Sequence, residues 1–421
     1  EIDSRGDHGG GVHQRRHRRR AGHGIGQPYV EGELGGLAHR TEEEERPSGD
    51  RHGARLMRAL RARCPEARFS GVGGEAMAEA GLRTLHVPSS LSVMGFVEGL
   101  PKLAGILRIL GDLARWAEKE RPDAAILLDA PDFNLRLARE LRHLGIPVIY
   151  VIAPMVWAWR ESRVRALRDL EGLLCIYPFE EAWFRKRGVP ATFVGNPLLD
   201  DPILRELPAQ ASCREALGLP GAERLVALLP GSRRAEIRSL LPILLATAEL
   251  LSARHEGLRF VVPAASEEAR GEIEAQLGGG PALPLELVEG RTTEVLRAAD
   301  AALVCSGTAT LQAALALCPQ VMVYRAHPVS MFIAKRLVRL PHACIVNILL
   351  GKTAVPEFLQ GALRPEILAD AISSLLSEGE PRDSMLQDFR ALRTEMMGPG
   401  FGERAATEIL ARLAPARAFG A

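Results

Sequence analysis

From Pro47 onward, short apolar runs alternate with stretches in which apolar residues recur every three or four positions. The short runs are typical of strands buried in a parallel sheet, and the wider spacing is typical of amphipathic helices. A segment rich in proline and polar residues, Pro197–Pro220, separates two series of such strands. The pattern therefore predicts an α/β protein with two doubly wound domains. The predicted strands are Arg68–Val72, Ala124–Leu128, Val148–Ile152, Leu173–Ile176 and Thr192–Val194 in the first series, and Leu225–Leu228, Phe260–Pro263, Leu285–Val288, Ala301–Cys305 and Gln320–Tyr324 in the second.

Residues 1–45 lack both periodicities and contain the basic run His13–Arg20 and the acidic run Glu42–Glu45. We expect this extension to be disordered. It is interpreted either as an arm that binds nucleic acid or anionic lipid, or as a misassigned gene start, and the missing periodicity favours the second. The rest of the chain is divided into an N-terminal domain at 46–200, a second domain at 201–385 and a C-terminal helical segment at 386–421.

Composition narrows the class of protein. Lys and Arg number 53 and Asp and Glu 52, so no nucleic-acid partner is expected. The six cysteines are scattered, with no CxxC pair and no histidine at metal-ligand spacing, which predicts a reduced, metal-free protein of the cytoplasm. No stretch reaches the roughly 18–20 apolar residues of a membrane-spanning helix, and no segment resembles a signal peptide. We expect a chain that neither spans a membrane nor is exported.

The first candidate site follows the strand that ends at Leu228, where the sequence LPGSRRAE leads into a helix. A glycine lets the backbone approach a ligand, and the N–H groups and dipole of a helix N-terminus attract anions. Ser232 adds a hydroxyl, and Arg233 can bind two phosphate oxygens at once. A structural turn with surface arginines explains the same residues, and this motif alone does not decide between the two.

A second turn of the same kind begins at Cys305, with the sequence CSGTATLQ. Its first residues can present successive N–H groups and hydroxyls to a pyrophosphate, and Gln312 would face a ribose. The chain contains neither GxxxxGK[ST] nor a GxGxxG that follows a strand, which excludes a Walker loop and a dinucleotide fingerprint. Two phosphate-type turns in one domain favour a nucleoside diphosphate. The residues assigned to the second turn are Ser306, Gly307, Thr308 and Ala309.

The candidate general base comes from the first domain, where LLDAPDFN places two carboxylates and an amide after a predicted buried strand. A carboxylate there can take the proton of an attacking hydroxyl in an inverting sugar transfer. Asp132 or Asn134 is also expected at the N-cap of the following helix. This leaves Asp129 as the stronger catalytic candidate.

Two apolar features are candidates for contacting an acceptor or a membrane. Trp157, Trp159 and Arg160 follow the strand Val148–Ile152 and suit a sugar or acyl surface, with packing in the core as the alternative. The stretch Leu91–Leu110 can lie on a membrane or hold acyl chains, and ordinary core explains it equally well. A basic and apolar stretch at 332–339 adds to the membrane interpretation. The candidates in the long apolar stretch are Val93, Met94 and Phe96.

Taken in chain order, these segments resemble the lipid-A-disaccharide synthases, from about Pro47 to the C-terminal helix. No single motif is decisive, but all occur in the family's order. The motifs are PSGD at 47–50, GVGG at 71–74, VMG at 93–95, DAPDFN at 129–134, VWAWR at 156–160, PFE at 178–180, LPGSR at 229–233, SGTA at 306–309, YR at 324–325 and VN at 346–347.

The resemblance implies a GT-B architecture, in which two Rossmann-like domains face a cleft and the C-terminal helix crosses back onto the first domain. It implies transfer of a diacylglucosamine unit from UDP-2,3-diacylglucosamine to 2,3-diacylglucosamine 1-phosphate (lipid X), with inversion and without a metal or other cofactor. The products would be a β-1,6-linked disaccharide 1-phosphate and UDP. The implied location is peripheral, on the cytoplasmic face of the inner membrane of a Gram-negative bacterium, and a homodimer stays open.

On matching positions, the resemblance assigns the catalytic carboxylate to Asp129 and makes Arg233 a second catalytic candidate. The residues it places around the UDP-sugar are Arg233, Glu236, Ser306, Thr308, Asn347 and Gln360.

Two departures from the family pattern bear on activity. The family has an apolar first strand before its Pro-Ser-Gly-Asp segment, whereas Glu45 and Arg46 precede Pro47 here. A missing central strand would cost an amount comparable with a domain's stability of about 5–15 kcal/mol. At Gln312 the family usually has a glutamate, which would bind ribose hydroxyls more strongly. Two alternatives stay open: another GT-B enzyme that uses UDP-GlcNAc, such as a peptidoglycan glycosyltransferase or an epimerase, and an inactive binding protein that lacks the first strand.

Overall fold

A computed structural model describes residues 48–87, 99–219, 224–278, 283–326, 340–398 and 400–418. The strands are β1 Phe69–Val72, β2 Leu82–His86, β3 Ala125–Leu128, β4 Val148–Val151, β5 Gly172–Cys175, β6 Ala191–Phe193, β7 Leu225–Leu229, β8 Arg259–Ala264, β9 Leu285–Glu289, β10 Ala301–Cys305, β11 Gln320–Tyr324 and β12 Glu357–Leu359. The helices are α1 Ser48–Arg63, α2 Glu75–Glu79, α3 Gly99–Glu120, α4 Pro131–His143, α5 Val164–Leu167, α6 Pro178–Arg185, α7 Pro202–Glu206, α8 Gln210–Ala216, α9 Arg234–Arg254, α10 Glu267–Leu277, α11 Thr292–Ala298, α12 Thr308–Leu315, α13 Ile345–Leu350, α14 Pro365–Leu376, α15 Arg382–Met396 and α16 Phe401–Ala418. Short 3-10 turns lie at Glu161–Arg163, Pro197–Asp200 and Gln360–Ala362.

The strands form parallel sheets in each half of the chain. The first half contains a four-stranded sheet in the order β3-β4-β5-β6, and the second contains a six-stranded sheet in the order β12-β11-β10-β7-β8-β9. Parallel strands need crossover connections, and helices supply them here. The predicted fold class is confirmed, and the predicted strands are found with ends shifted by at most one residue.

Two strands were not predicted from the sequence. β2 has no fully buried residue, and its Arg83 and Thr84 are exposed, so it lacks the apolar run of a buried strand. β12 has only three residues and forms one edge of the six-stranded sheet, where it pairs with β11. Both are edge strands, where short or polar sequences are common because only one side is paired.

The core of the second half is built around β7 and β10, whose residues are all buried. These strands are neighbours in the middle of the sheet, so helices on both faces keep them from water. α9 covers one part of this core with Ile237, Leu240 and Leu244, each fully buried. Fully burying a leucine-sized side chain contributes about 1.5–3 kcal/mol, which makes this core a rigid support for the loops at its edges.

The C-terminal helix α16 does not pack on the sheet that precedes it in sequence. Its Phe401, Ala405 and Ile409 pack in one buried cluster with α1 and with Ile149 and Leu174 of the four-stranded sheet. The chain therefore crosses back to its first half, as the predicted architecture requires.

The sequence predicts that the first strand of the family, before Pro47, is missing here, so the pairing of the neighbouring strands is of interest. Within the described residues, β1 pairs only with β2, and β3 pairs only with β4. The half-buried Phe69 of β1 and Ile126 of β3 nevertheless pack on the same cluster beneath α1. The predictions for residues 1–45 and for the strand before Pro47 lie outside the described residues.

Asp50, the last residue of the PSGD motif, lies in the first turn of α1. This buried carboxylate accepts hydrogen bonds from the backbone N–H groups of Gly74 at 2.8 Å and Ala76 at 2.9 Å, and a longer one from Met77 at 3.3 Å. It thus satisfies N–H groups at the start of α2 that have no partner within that helix. Asp50 fixes how α2 joins α1.

None of the described helices has both the length and the apolar character to cross a lipid bilayer. The predicted apolar stretch Leu91–Leu110 is described only from residue 99, in α3, and the stretch at 332–339 lies outside the described residues. α3 buries Ile109, Leu110 and Leu113 in the core of the first half and leaves Leu107 about half exposed. Core packing thus accounts for the C-terminal part of that stretch.

Candidate active site

Asp129 lies immediately after β3 in a turn with an unusual backbone. Both Asp129 and Ala130 have a positive φ, +48° and +45°, which residues other than glycine rarely adopt. Three hydrogen bonds hold the turn: the Tyr150 hydroxyl donates to the Asp129 carbonyl, and the Asn134 amide donates to that carbonyl at 2.7 Å and to the Leu128 carbonyl at 3.0 Å. Such strain persists only where the surroundings enforce it, and it is concentrated at functional sites.

The Asp129 carboxyl group lies at the exposed end of the sheet, but neighbouring protein removes part of its water. This desolvation raises its pKa, and a hydrogen bond from the Ala130 backbone opposes the rise. A carboxylate with a raised pKa is a stronger base, which suits proton abstraction from a sugar hydroxyl. Asn134, an N-cap candidate in the sequence, instead supports the Asp129 turn, while Ala130 occupies the cap position.

The segment that follows β4 divides into a packed half and an exposed half. The Trp157 indole N–H donates to the Glu180 carboxylate at 2.9 Å, and its ring meets Phe179 edge to face at 5.0 Å. Trp159 is about 39% exposed, and the Arg160 guanidinium lies over its ring at 4.3 Å. Packing therefore explains Trp157. Trp159 and Arg160 remain candidates for contacting a ligand.

Glu180 is a buried acid to which the sequence alone assigns no role. It is fully buried, and its carboxylate also accepts hydrogen bonds from the Ile176 and Tyr177 backbone N–H groups. Burial raises its pKa to about 7, although the three hydrogen bonds oppose the rise. The contact with Trp157 spans 23 residues, and nothing in the local sequence signals it.

The first phosphate-type turn connects β7 to α9. Gly231 has φ +110°, and a Cβ atom there would lie 2.6 Å from a Glu236 carboxylate oxygen, so only glycine fits without rearrangement. The Arg233 backbone N–H donates to Glu236, and its guanidinium pairs with Glu236 at 3.1 Å. Ser232 is exposed, and the Arg233 side chain is about 83% exposed, which leaves its other N–H groups accessible to a ligand.

The second turn connects β10 to α12 next to the first, because β10 and β7 are paired neighbours. Gly307 has φ +149° and precedes the first residue of the helix, Thr308. Gly307 and Thr308 are exposed, and Ser306 and Ala309 are half-buried. The structure thus brings both predicted turns to the same edge of one sheet, where helix N-termini favour an anion.

The carboxyl edge of the four-stranded sheet touches the second half of the chain. Trp157 and Tyr177, at the ends of β4 and β5, pack against the buried cluster of the second half, and Trp157 also packs against that of the first. The candidate base and the phosphate-type turns therefore belong to two halves that meet beside the loops carrying them.

A family model described as lipid-A-disaccharide synthetase matches residues 44–402. The chain belongs to the lipid-A-disaccharide synthase family. Relatives named lipid-A-disaccharide synthase include those of Myxococcus xanthus, 43% identical over 88% of this chain and 96% of the relative, and of Pseudomonas aeruginosa, 42% identical over 83% and 92%. Membership makes the chain an enzyme, a glycosyltransferase of lipid A biosynthesis, in agreement with the resemblance found in the sequence.

Solved structures similar to this family member agree on the fold. A putative UDP-N-acetylglucosamine 2-epimerase from Listeria monocytogenes matches with a TM-score of 0.52 at 14% identity, covering 90% of this chain and 94% of that one. A UDP-GlcNAc 2-epimerase from Neisseria meningitidis, bound to UDP-GlcNAc, matches with a TM-score of 0.54 at 12% identity, covering 86% and 96%. At these identities the likeness supports the GT-B architecture alone.

Gln312, where the resemblance implies a glutamate, takes part in a chain of internal hydrogen bonds. Its amide N–H donates to the Thr293 hydroxyl at 2.7 Å, and that hydroxyl donates to the Asp201 carboxylate at 2.9 Å. Asp201 also caps α7 by accepting from the Ile203 backbone N–H at 2.8 Å. In this arrangement the amide N–H group links α12 to α11 and, through Thr293, to the start of α7. Its role toward a ribose stays a prediction.

Asn347, assigned to the UDP-sugar by resemblance alone, is fully buried. Its amide donates to the Val355 carbonyl at 2.8 Å and to the Glu357 carboxylate at 2.7 Å, and its oxygen accepts from the Ala354 and Val355 N–H groups. This side chain holds the loop before β12. Gln360 is half-buried with φ +54°, and its amide donates to the Ala326 carbonyl at 3.1 Å. The proposed nucleotide contacts of both residues stay predictions.

The remaining site predictions concern membrane contact and metals. Val93, Met94 and Phe96 lie outside the described residues. In the part of the chain that is described, no three His, Cys, Asp or Glu side chains are grouped so that they could hold a metal ion.

Proposed function

We propose that this glycosyltransferase transfers the diacylglucosamine unit of UDP-2,3-diacylglucosamine to the 6-hydroxyl of lipid X, with inversion and without a metal cofactor. The turns at Gly231 and Gly307 would bind the diphosphate, with Arg233 neutralising charge on the departing UDP. The products would be the β-1,6-linked disaccharide 1-phosphate and UDP. The reaction would take place at the cytoplasmic face of the inner membrane.

The observation that carries the proposal is the position of Asp129 relative to the two turns. Asp129 stands at the carboxyl edge of one parallel sheet, and the turns stand at the carboxyl edge of the other, where α/β proteins bind ligands. In the proposed step, Asp129 takes the proton of the acceptor hydroxyl while the oxygen of that hydroxyl forms a bond to the anomeric carbon of the donor. The bond from that carbon to the UDP oxygen breaks, and its electron pair leaves with UDP.

The test is an assay with purified protein, both proposed substrates in detergent micelles and EDTA present throughout. We expect UDP release matched by a disaccharide whose anomeric coupling constant indicates the β configuration. UDP-GlcNAc serves as the competing donor. Turnover of UDP-GlcNAc without turnover of the diacylated donor would contradict the proposal, and so would an α-linked product.

Asp129→Asn tests the base assignment because it removes the proton acceptor and keeps the shape of the side chain. We expect kcat to fall about 10²- to 10⁴-fold, while calorimetry shows unchanged UDP binding. Asp169→Asn is the control, because Asp169 is an exposed residue that pairs with Arg142 on the surface. Near-normal turnover of Asp129→Asn would remove Asp129 as the base.

A further inference from the structure

Two arginines and a tryptophan form a partly exposed cluster at the carboxyl edge of the four-stranded sheet. The guanidinium of Arg160 lies over the Trp159 ring at 4.3 Å, and that of Arg163 lies 5.9 Å from the same ring. Both guanidiniums pair with one carboxylate oxygen of Asp132, Arg160 at 3.4 Å and Arg163 more closely. We call these four residues the Arg160–Arg163 cluster, and its formal charge is positive.

The cluster lies beside the candidate base. Asp132 is in the first turn of α4, three residues after Asp129, and the arginines follow β4, which is paired with β3 through Leu128 and Val151. Tyr150, which donates to the Asp129 carbonyl, is close enough to Arg163 and Asp132 for both charges to affect its ionisation. A molecule that presents a hydroxyl to Asp129 therefore has the cluster within its reach.

Among the described loops that directly follow the four strands, no other residue carries a positive side chain. The loops that directly follow β3, β4, β5 and β6 at residues 129–130, 152–163, 176–177 and 194–196 are all described, and Arg160 and Arg163 are the only lysines or arginines in them. An anionic group on an acceptor held at this edge needs a positive partner, because desolvating an unpaired dianion is costly. Within these described loops, the two arginines are the positive partners that the chain offers.

In the described contacts, the two guanidiniums keep N–H donors that a ligand could use. Each pairs with Asp132 through one terminal nitrogen, whereas a guanidinium carries five N–H donors. The side chains are about 42% and 21% exposed, so solvent and ligands reach them. The planar N–H fork of arginine matches the oxygens of a phosphate group, and the exposed Trp159 ring offers an apolar face beside it.

We propose that Arg160 and Arg163 bind the phosphate monoester of the acceptor while Asp129 faces its hydroxyl. This inference rests on the proposed function, in which the acceptor sugar carries its phosphate at one end and its reacting hydroxyl at the other. The cluster would hold the sugar by the end that does not react. It would thereby select phosphorylated acceptors and orient the hydroxyl toward the base, as positioning groups do when they fix reactants in place.

The experiment compares two acceptors, 2,3-diacylglucosamine 1-phosphate and the same lipid without phosphate, at a saturating concentration of the diacylated UDP donor. The variants are Arg160→Gln, Arg163→Gln and the double variant. The control is Arg165→Gln, an exposed arginine on the adjacent helix α5. Thermal unfolding confirms that each variant folds.

We expect each single variant to lower kcat/KM for the phosphorylated acceptor about 10- to 100-fold, since hydrogen bonds between charged groups are worth more than neutral ones. The same variants should change kcat/KM for the unphosphorylated acceptor and KM for the donor by less than about threefold. Arg165→Gln should behave as wild type. The inference would be overturned if kcat/KM fell equally for both acceptors, or if the only change were a higher KM for the donor.

Failure of this inference is distinguishable from failure of the proposed function. If the wild-type protein forms no disaccharide from either acceptor, the proposed function fails. If it forms disaccharide from both acceptors with equal kcat/KM, the proposed function stands and the phosphate assignment is refuted.

Discussion

Glu180, which is buried, and His52, which is half-buried, are titratable groups whose pKa values are displaced in opposite directions. Burial raises the pKa of Glu180 from 4.5 to about 7, and burial together with the charges of Arg51 and Arg55 lowers that of His52 from 6.5 to about 4. Each displacement corresponds to about 3 kcal/mol, at about 1.4 kcal/mol for each tenfold change in proton affinity. In the described structure, the Nδ1 atom of His52 is buried without a hydrogen-bond partner.

The two groups change stability in opposite senses as pH changes. Folded Glu180 holds its proton more tightly than unfolded Glu180, so its contribution is full below pH 4.5 and is lost as pH rises through about 7. Folded His52 holds its proton less tightly, so its contribution is full above pH 6.5 and is lost as pH falls through about 4. Between pH 4.5 and 6.5 the two effects nearly cancel.

We therefore predict that each single variant shows a change in the free energy of unfolding with pH that the opposing group cancels in the wild type. Relative to wild type, the free energy of unfolding of Glu180→Gln should rise by about 3 kcal/mol from pH 4.5 to 7.5, and that of His52→Gln should fall by about 3 kcal/mol. Urea unfolding followed by circular dichroism at several pH values measures both. Constant offsets from altered hydrogen bonds, such as the one to Trp157, do not affect the slopes.

The exposed Glu395 provides the control, because Glu395→Gln removes a carboxylate of the same type from the surface. Its unfolding free energy should run parallel to that of wild type. If Glu180→Gln also runs parallel to wild type across this range, Glu180 titrates normally in the folded protein, and the reasoning from burial is refuted.

Two further predictions concern single contacts. Asn347→Leu should lower the free energy of unfolding by about 3–5 kcal/mol in urea, because it leaves the Ala354 and Val355 N–H groups and the Glu357 carboxylate without their buried partner; a loss under about 1 kcal/mol would contradict this. Gly231→Ala should weaken UDP binding at least about tenfold by calorimetry, because its Cβ would displace Glu236 and distort the turn. Gly218→Ala, also at positive φ but with open space around it, should bind UDP as wild type does, and equal effects of the two variants would argue against a role for the turn.

The buried strands were predictable because their apolar sequence and their position inside the fold agree: a strand surrounded by protein requires apolar residues. β10 and β11 lie inside the six-stranded sheet, so most of their positions hold buried apolar residues, and their bounds were predicted correctly. β2 was missed because it is paired on one side only, and its Arg83 and Thr84 point to water. Edge strands carry a weaker sequence signal for this reason.

The candidate site was predictable to the extent that it depends on strand ends. Asp129 and the two turns follow apolar runs directly, so their position at the sheet edges is a consequence of the chain's order. Their partners are not local: Tyr150 reaches Asp129 across 21 residues, and Arg163 reaches Asp132 across 31. No periodicity encodes such contacts, which depend on how strands are arranged in space.

The return of α16 to the first half has a consequence for the time course of folding on the ribosome. Phe401 and Ile409 cover a face of the sheet whose last strand ends at Phe193, so more than 200 residues are made before that face can be closed. At about 5–20 residues per second, the wait is roughly 10–40 s. During that time Ile149 and Leu174 would contact solvent or a chaperone, and the nascent first half must survive without its final helix.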